Sequence, residues 1–406
     1  MAWRESCVMD ARLSFIAACL RGDEAISRVC ERFGISRKTG HKWLARYHAA
    51  GAVCLMPRSS ARHTQGHRID EATAARVIAL RAAHPTWGPR KLRARLSLDE
   101  PETAWPAAST IGDLLRRSGH VRPRRQRRAP MLGKKLELTQ ATAANMVWSA
   151  DFKGWFRTGD GVRCEALTIT DSYSRYVLCC QALPQVTFAV VRSAMIRVFE
   201  AHGLPAVLRT DNGNPFARRD SLCGLTQFSV WLLLLGVRPE MIVPGRPDMN
   251  GRHERMHRVV HEDTARPPAQ TLLAQQRRFD LWRTTYNTLR PHEALGQRCP
   301  ATLYAASPRP YPSRLGVFAY PSDHQRRKVI GDGYITWRGG SIYLTAALIG
   351  QTVALAQRDD GDWAVRFRGF DLAVISDVTN RLVSAHLRPT AVVSVLADDT
   401  AQARAG

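Results

Sequence analysis

The chemistry this sequence can offer is concentrated in three acids and a histidine-rich stretch. Residues 251–263 read GRHERMHRVVHED. Within them His253-Glu254-Arg255-Met256-His257 fits H-E-x-x-H, which on a helix can bind zinc with the glutamate as base. On such a helix His253, His257 and His261 lie within an arc of about 80°, and Glu254 sits about 60° beyond His257. Asp151 stands in MVWSADFKGWF, inside an otherwise apolar strand pattern. A carboxylate there is costly unless paired, hydrogen-bonded or metal-bound. Asp211, in LRTDNGNPF, ends a short strand and enters a turn. Ligands gather at the C-terminal ends of strands in open α/β sheets, although Asp-Asn-Gly is also ordinary turn chemistry. Three hard oxygen donors, from two strands and one helix, favour Mg²⁺ or Mn²⁺ over zinc. Two such ions about 3.5–4 Å apart can activate water or a 3′-hydroxyl and stabilise the leaving oxygen of a phosphodiester.

The zinc-peptidase reading is weaker. Arg255 lies between the two histidines, and Val260 stands where the extended zinc-peptidase pattern needs glycine. A third ligand, for instance Glu262, could still be supplied. That reading leaves both acid-bearing strands unexplained, and it leaves the charge unexplained as well.

The charge is the strongest compositional signal. With 59 Lys+Arg against 35 Asp+Glu, the 406-residue chain carries a formal +24. Such a surplus suits a polyanionic partner, nucleic acid first. The length exceeds one typical core, so several domains are expected. Nine cysteines are scattered without a C-x-x-C pair, which fits buried thiols in a reducing cytoplasm rather than disulfides. No apolar run is long enough to span a bilayer, and no signal-peptide pattern opens the chain. A cytoplasmic, nucleoid-associated protein is expected.

The elements that must position the acids follow in order. Residues 11–50 read as three helices. Leu13, Ile16, Ala17 and Leu20 would line the first, and Asp23 would cap the second, which faces inward with Ile26, Val29, Cys30 and Phe33. Ser36 would cap the third, with Trp43, Leu44 and Tyr47 inside. This is the helix-turn-helix plan, and Arg37, Lys38, His41, Lys42 and Arg46 would face DNA as a recognition helix does. A second helical unit at 68–120 carries Arg90 and Lys91 as further DNA-binding candidates. RRSGHVRPRRQRRAP follows; in it Arg122, Arg124, Arg125, Arg127 and Arg128 belong to a basic linker, 121–139, whose natural sink is phosphate backbone.

From about 145 the pattern becomes three strands, helix, strand, helix, strand, helix, an α/β layout with a mixed sheet. Beyond 310, aromatic and β-branched alternation punctuated by Gly-Gly and Asp-Gly predicts a small all-β barrel over 314–378, with a tail from 379 to 406.

WSADF, the RTDNG turn and GRPDMNGRHERMHR together resemble the three signatures of the D-D-E integrase core of bacterial insertion-sequence transposases, within the retroviral integrase superfamily. YNTLRPHEALGQRCPATLY (286–304) resembles the segment that follows the glutamate in that group. The resemblance covers roughly 140–305; the helix-turn-helix module at 1–56, the second helical unit and the β-barrel agree with it more loosely. It implies a ribonuclease-H-like core in which Asp151, Asp211 and Glu254 are the catalytic, metal-binding triad. Asn250 and Gly251 would place Glu254, and Asn212 and Gly213 would shape the turn displaying Asp211. It further implies Mg²⁺ or Mn²⁺, two ions, double-stranded DNA as partner at element ends and target, and a homo-oligomer on that DNA. One departure is the 42 residues between Asp211 and Glu254, with FARRDSLCG (216–224) resembling an insertion. The expected activity is nicking of element ends followed by joining of the 3′-OH to target DNA. The competing reading is a non-catalytic repressor or domesticated transposase that keeps only the DNA-binding modules.

Overall fold

The computed structural model describes residues 8–56, 69–121, 138–211, 213–218, 221–242 and 251–390. Arg122, Arg124, Arg125, Arg127 and Arg128 lie outside the described residues, as do Asn212 and Asn250. The chain divides into two units, Met1–Ile69 and Asp70–Gly406.

In the first unit, α1 (Val8–Arg21), α2 (Ile26–Arg32) and α3 (Arg37–Ala50) close on one core with a short 3₁₀ turn at Gly51–Leu55. Ser36 caps α3 as expected, its side chain accepting from the Thr39 N–H at 3.2 Å. Two expectations are corrected. The inward face of α1 is Phe15, Ile16 and Ala18, while Leu13 and Leu20 are exposed. The helix is turned so that the larger Phe15 ring meets Phe33 edge-on, centroids 5.6 Å apart. Asp23 does not cap α2, which starts two residues later behind Ala25. Gly40 lets α2 and α3 approach closely, since a Cβ there would collide with the Cys30 sulfur.

The second unit begins with α4 (Glu71–Ala83), α5 (Pro89–Asp99) and α6 (Ala108–Arg117). They share a core of Val77, Trp87, Leu92, Leu96, Trp105, Ile111 and Leu115.

The central sheet is built from β1 (Val147–Arg157), β2 (Arg163–Asp171), β3 (Val177–Leu183), β4 (Val207–Thr210) and β5 (Arg238–Met241). Its order is β3-β2-β1-β4-β5; β1 to β3 run as an antiparallel meander, and β1, β4 and β5 pair in parallel. The mixed sheet read from the sequence is therefore present, with β5 starting three residues earlier than Met241. Helices α7 (Phe188–His202) and α8 (Gln227–Leu234) cover one face, where Trp148, Leu167 and Ile169 meet Met195, Phe199 and Trp231. Helices α9 (Gly251–Thr264) and α10 (Leu272–Thr288) cover the other, where Cys164, Ala166 and Cys180 meet Met256, Val260, Phe279 and Trp282. Apolar side chains on both faces explain why β2 reads as a nearly continuous buried run.

The C-terminal part is antiparallel β structure: β6 (Gln325–Lys328), β7 (Tyr334–Trp337), β8 (Gly340–Tyr343), β9 (Thr352–Gln357), β10 (Trp363–Phe367), β11 (Phe370–Ile375) and β12 (Leu382–Pro389). Hydrogen bonding arranges them as a five-stranded sheet, β12-β11-β10-β9-β6, and a β7-β8 hairpin, both contributing to one core. Strand β12 lies in the stretch expected to be tail. It is an edge strand with mostly exposed side chains, so it carries little of the alternation that marks a strand in sequence. The insertion-like stretch 216–224 also finds a place. Leu222, Cys223 and Leu225 pack into the β domain's core, Cys223 Sγ bonds the Leu372 carbonyl at 3.1 Å, and Ser221 Oγ bonds Thr345 Oγ1 at 2.8 Å. That stretch fastens the sheet's β4–α8 connection to the β domain. No helix among the described residues is long and apolar enough to cross a membrane.

Candidate active site

Strand register decides which acids can meet. In the parallel β1–β4 pair, Ala150 stands opposite Thr210. Asp151 and Asp211 are the next residue on each strand, so they leave the same edge of the sheet on neighbouring strands about 4.8 Å apart. Immediately after Asp151 the β1–β2 register shifts between Phe152 and Trp155, with Gly154 at φ +86°. Bulges of this kind re-aim side chains at a sheet's working edge. The Asp211 carboxylate accepts from the Gly213 N–H at 3.1 Å. A Cβ on Gly213 would come within 3.1 Å of that same carboxylate, so the glycine keeps the turn tight and the oxygens accessible. Phe152 and Phe216, each just beyond one of these acids, stack with centroids 5.6 Å apart, and Phe216 also meets Phe228 at 5.3 Å.

Helix α9 packs against β1. Its inward stripe is His253, Met256, His257, Val260 and Thr264; Glu254, Arg255 and Arg258 are exposed. The histidines thus turn into the protein rather than toward a partner, and Glu254 occupies the adjoining outer face. Both imidazole Nε2 atoms lie 2.6 Å from Thr168 Oγ1, which is also 3.1 Å from the Asp151 carbonyl. A hydroxyl has one proton, so at least one of these imidazoles must donate to Thr168 through Nε2–H. Burial holds His253 neutral far below the ordinary histidine range, with its pKa lowered to about 3. His257 Nδ1 stands 3.9 Å from Asp151 Oδ2.

Among the described residues, the cluster of potential metal ligands that converges within 4.8 Å is Asp151, His253 and His257. Register brings Asp151 and Asp211 onto neighbouring strands, and Glu254 lies on the exposed side of α9, which packs against β1; the three do not form a group of that tightness among the described residues. Thr168 was not singled out from the sequence. Its signal was a hydroxyl in the middle of the apolar run CEALTITD, directly opposite Asp151.

The DNA-binding candidates separate into two kinds. Arg37, Lys38, His41 and Lys42 are exposed on α3, and Arg46 is half-buried with its guanidinium 4.9 Å from the Trp43 ring centroid. Arg90 and Lys91, at the start of α5, are engaged on their own chain. Arg90 pairs with Glu293, and Lys91 Nζ donates to the Pro291 carbonyl at 2.6 Å. Burial, with Arg290 nearby, lowers Lys91 to about 8.

Comparison with known proteins places these parts. Residues 141–247 and 235–300 each match an integrase core domain family, and residues 9–55 and 39–115 match homeodomain-like domain families. An uncharacterized 31.7 kDa protein of insertion element IS407, from Burkholderia multivorans, is 29% identical over 237 residues, covering 58% of this chain and 82% of that one. An uncharacterized 39.2 kDa protein of insertion element IS476, from Xanthomonas euvesicatoria, is 27% identical over 256 residues, covering 63% and 70%. Among solved structures, the HTLV-2 integrase catalytic core domain in complex with magnesium aligns with a TM-score of 0.32 and 15% identity, over 41% of this chain and all of that one. Residues 141–300 are thus similar to integrase core domains and the chain is similar to proteins of bacterial insertion elements, with homeodomain-like helices lying ahead of that stretch.

Proposed function

We propose that this transposase cuts and joins DNA at the edge where Asp151 and Asp211 leave the sheet, with Glu254 as third acid. The observation that carries this reading is the register: Ala150 opposite Thr210 puts the two aspartates side by side where the parallel β1–β4 pairing ends, inside the integrase-core match. The three carboxylates fit a hard divalent cation, because they offer only oxygen donors and the two aspartates come from rigid strands. When bound, Mg²⁺ or Mn²⁺, as two ions, would supply Lewis-acid activation of a water or 3′-hydroxyl and stabilise the leaving oxygen.

The chain's own residues hold and shape this edge. The β1 bulge and the Gly213 turn fix the direction of Asp151 and Asp211. The Phe152–Phe216 stack excludes water behind them, and α9 brings Glu254 alongside. No residue here is needed as a covalent nucleophile. DNA would be held by the exposed cations of α3 and by the arginines of 121–139. An element has two ends, so the working complex on DNA would contain at least two copies, in a cytoplasmic, nucleoid-associated setting. The insertion-element origin of the relatives favours terminal repeats as the bound sequence.

The test is Glu254→Gln. With labelled element-end DNA and Mg²⁺, nicked and joined products should fall to background, while end-specific binding, read by gel shift, changes less than about threefold. A variant that cuts and joins like the parent sinks the triad assignment. A parent that binds ends but never cuts would favour the repressor reading.

A further inference from the structure

The reading above uses Glu254 and leaves its flanking histidines idle. They are not idle in space. His253 and His257 are one helical turn apart on the buried face of α9, and a ligand atom from each lies within 4.8 Å of the other and of an Asp151 carboxylate oxygen. We propose that Asp151, His253 and His257 form a second metal site, selective for a transition-metal dication of the zinc class, which takes the Asp151 carboxylate away from the catalytic ion.

The donor set decides the metal. Two imidazoles and one carboxylate are a zinc-type combination, whereas Mg²⁺ prefers oxygen alone. Tetrahedral zinc, with bonds of about 2.0–2.1 Å, holds its ligand atoms about 3.4 Å apart. The observed ligand atoms all lie within 4.8 Å of one another, so the widest pair would have to close by at most about 1.4 Å. Its surroundings suit a bound metal as well. Thr168 Oγ1 touches both imidazoles and Thr170 Oγ1 lies 3.3 Å from His253 Nδ1. His257 would ligate through Nδ1, 3.9 Å from Asp151 Oδ2, and keep Thr168 as outer partner of its Nε2, while His253 would give up one of its two hydroxyl contacts to the metal and keep the other to orient its ring. Arg255, which counted against a zinc centre in the sequence, is exposed on the far side of the helix.

The site has no peptidase chemistry to perform: Glu254 lies on the adjoining, exposed face of α9, and both histidines are buried. Its consequence is competition. Asp151 cannot serve a zinc ion on the histidine side and a magnesium ion on the Asp211 side with the same orientation. Zinc-class metal would therefore switch the enzyme off. This competition rests on Asp151 being a catalytic metal ligand; the binding itself does not.

The experiment uses the full chain stripped with EDTA and titrated with Co²⁺, whose visible absorption reports tetrahedral nitrogen–oxygen coordination. A single equivalent should saturate the band, and Zn²⁺ should displace it. His257→Gln should weaken Co²⁺ binding at least about tenfold, and Asp151→Asn should do likewise. Glu254→Gln should bind Co²⁺ as the parent does, which separates this site from the triad. Circular dichroism confirms folding; if His257→Gln does not fold, Asp151→Asn decides. In a Mg²⁺ nicking reaction with the parent, Zn²⁺ should inhibit over the range in which it displaces Co²⁺. An absent band, or unchanged affinity in Asp151→Asn, overturns the site. Binding without inhibition overturns the competition.

Discussion

Asp151 and Asp171 sit on neighbouring strands of the same sheet, about three residues apart along its length, yet the chain surrounds them differently. Asp171 ends β2 opposite Trp148 and is fully buried. Its carboxylate accepts from the Asn145 N–H at 2.8 Å, the Ser174 N–H at 2.7 Å and the Ser174 hydroxyl at 2.6 Å. An ionised carboxylate has about four acceptor positions, so the turn occupies most of its capacity with backbone and a neighbouring hydroxyl. Asp151, like Asp211, is only partly buried and stands where the parallel β1–β4 pairing ends, on the side of the sheet covered by α9. One acid is consumed in closing a turn; the other faces a junction of three elements. What separates the two acids is their surroundings: Asp171 closes a turn at the end of β2, whereas Asp151 stands where the parallel β1–β4 pairing ends, with the proposed ligand role falling on the latter.

The largest effect that would break this comparison is at the open edge. Asp211→Asn keeps the acceptor for the Gly213 N–H and removes the charge. Nicking and joining of element-end DNA should fall to background, while the unfolding midpoint shifts by no more than about 0.5 kcal/mol equivalent. Retained cleavage would remove the distinction between the two ends of the sheet.

At the closed end the order of effects should reverse. Asp171→Ala leaves three donors buried without their acceptor, each lost partner costing about 1–3 kcal/mol before relaxation. A total of roughly 3 kcal/mol corresponds to a fall in Tm of about 6–12 °C for a domain of this size. Activity per folded molecule, measured below the transition, should match the parent. A catalytic collapse without a Tm change would mean that Asp171, not only Asp151, belongs to the working edge.

How much of this was legible depended on whether the signal was local. Period located α3, α7 and α9 and the run of strands, and capping marked the start of α3, since Ser36 and the alternations around Asp151 and Asp211 act within a few residues. The α1 face was misread because four aliphatic positions fitted a stripe as well as Phe15 did, and only the tertiary partner Phe33 chose between them. Strand β12 was invisible because an exposed edge strand needs no apolar alternation. The two aspartates could be named from sequence, but their adjacency comes from the Ala150–Thr210 register, which no local pattern encodes. The histidines were the hardest case. Helical spacing gave their common face correctly and could not tell whether that face looked out or in. Thr168, 85 residues upstream of His253, determined that it looks in.

A smaller effect sharpens the closed end further. His292, in the RPHEALG stretch, is pushed down to about 3, first by burial and then by Lys91, Arg290 and Arg175. Its Nε2 has no hydrogen-bond partner, and its ring meets Tyr286 edge-on at 4.7 Å. The unfolded chain takes up this proton near pH 6.5, and the folded chain only near 3. Between those values the unfolded state binds more protons, so stability rises with pH and is lost as pH falls from about 6.5 toward 3. His292→Phe keeps an aromatic ring against Tyr286 and removes the titration. Its Tm should therefore drop less between about pH 7.5 and pH 5 than the parent's, by an amount equivalent to about 1–2 kcal/mol. The slope should not vanish, because His253 is also held neutral to about 3 by burial. Parallel Tm–pH curves for parent and variant would mean that His292 takes up its proton in the folded chain as readily as in the unfolded one. The cations around it would then not form the closed, desolvated end that sets this edge apart from the one bearing Asp151 and Asp211.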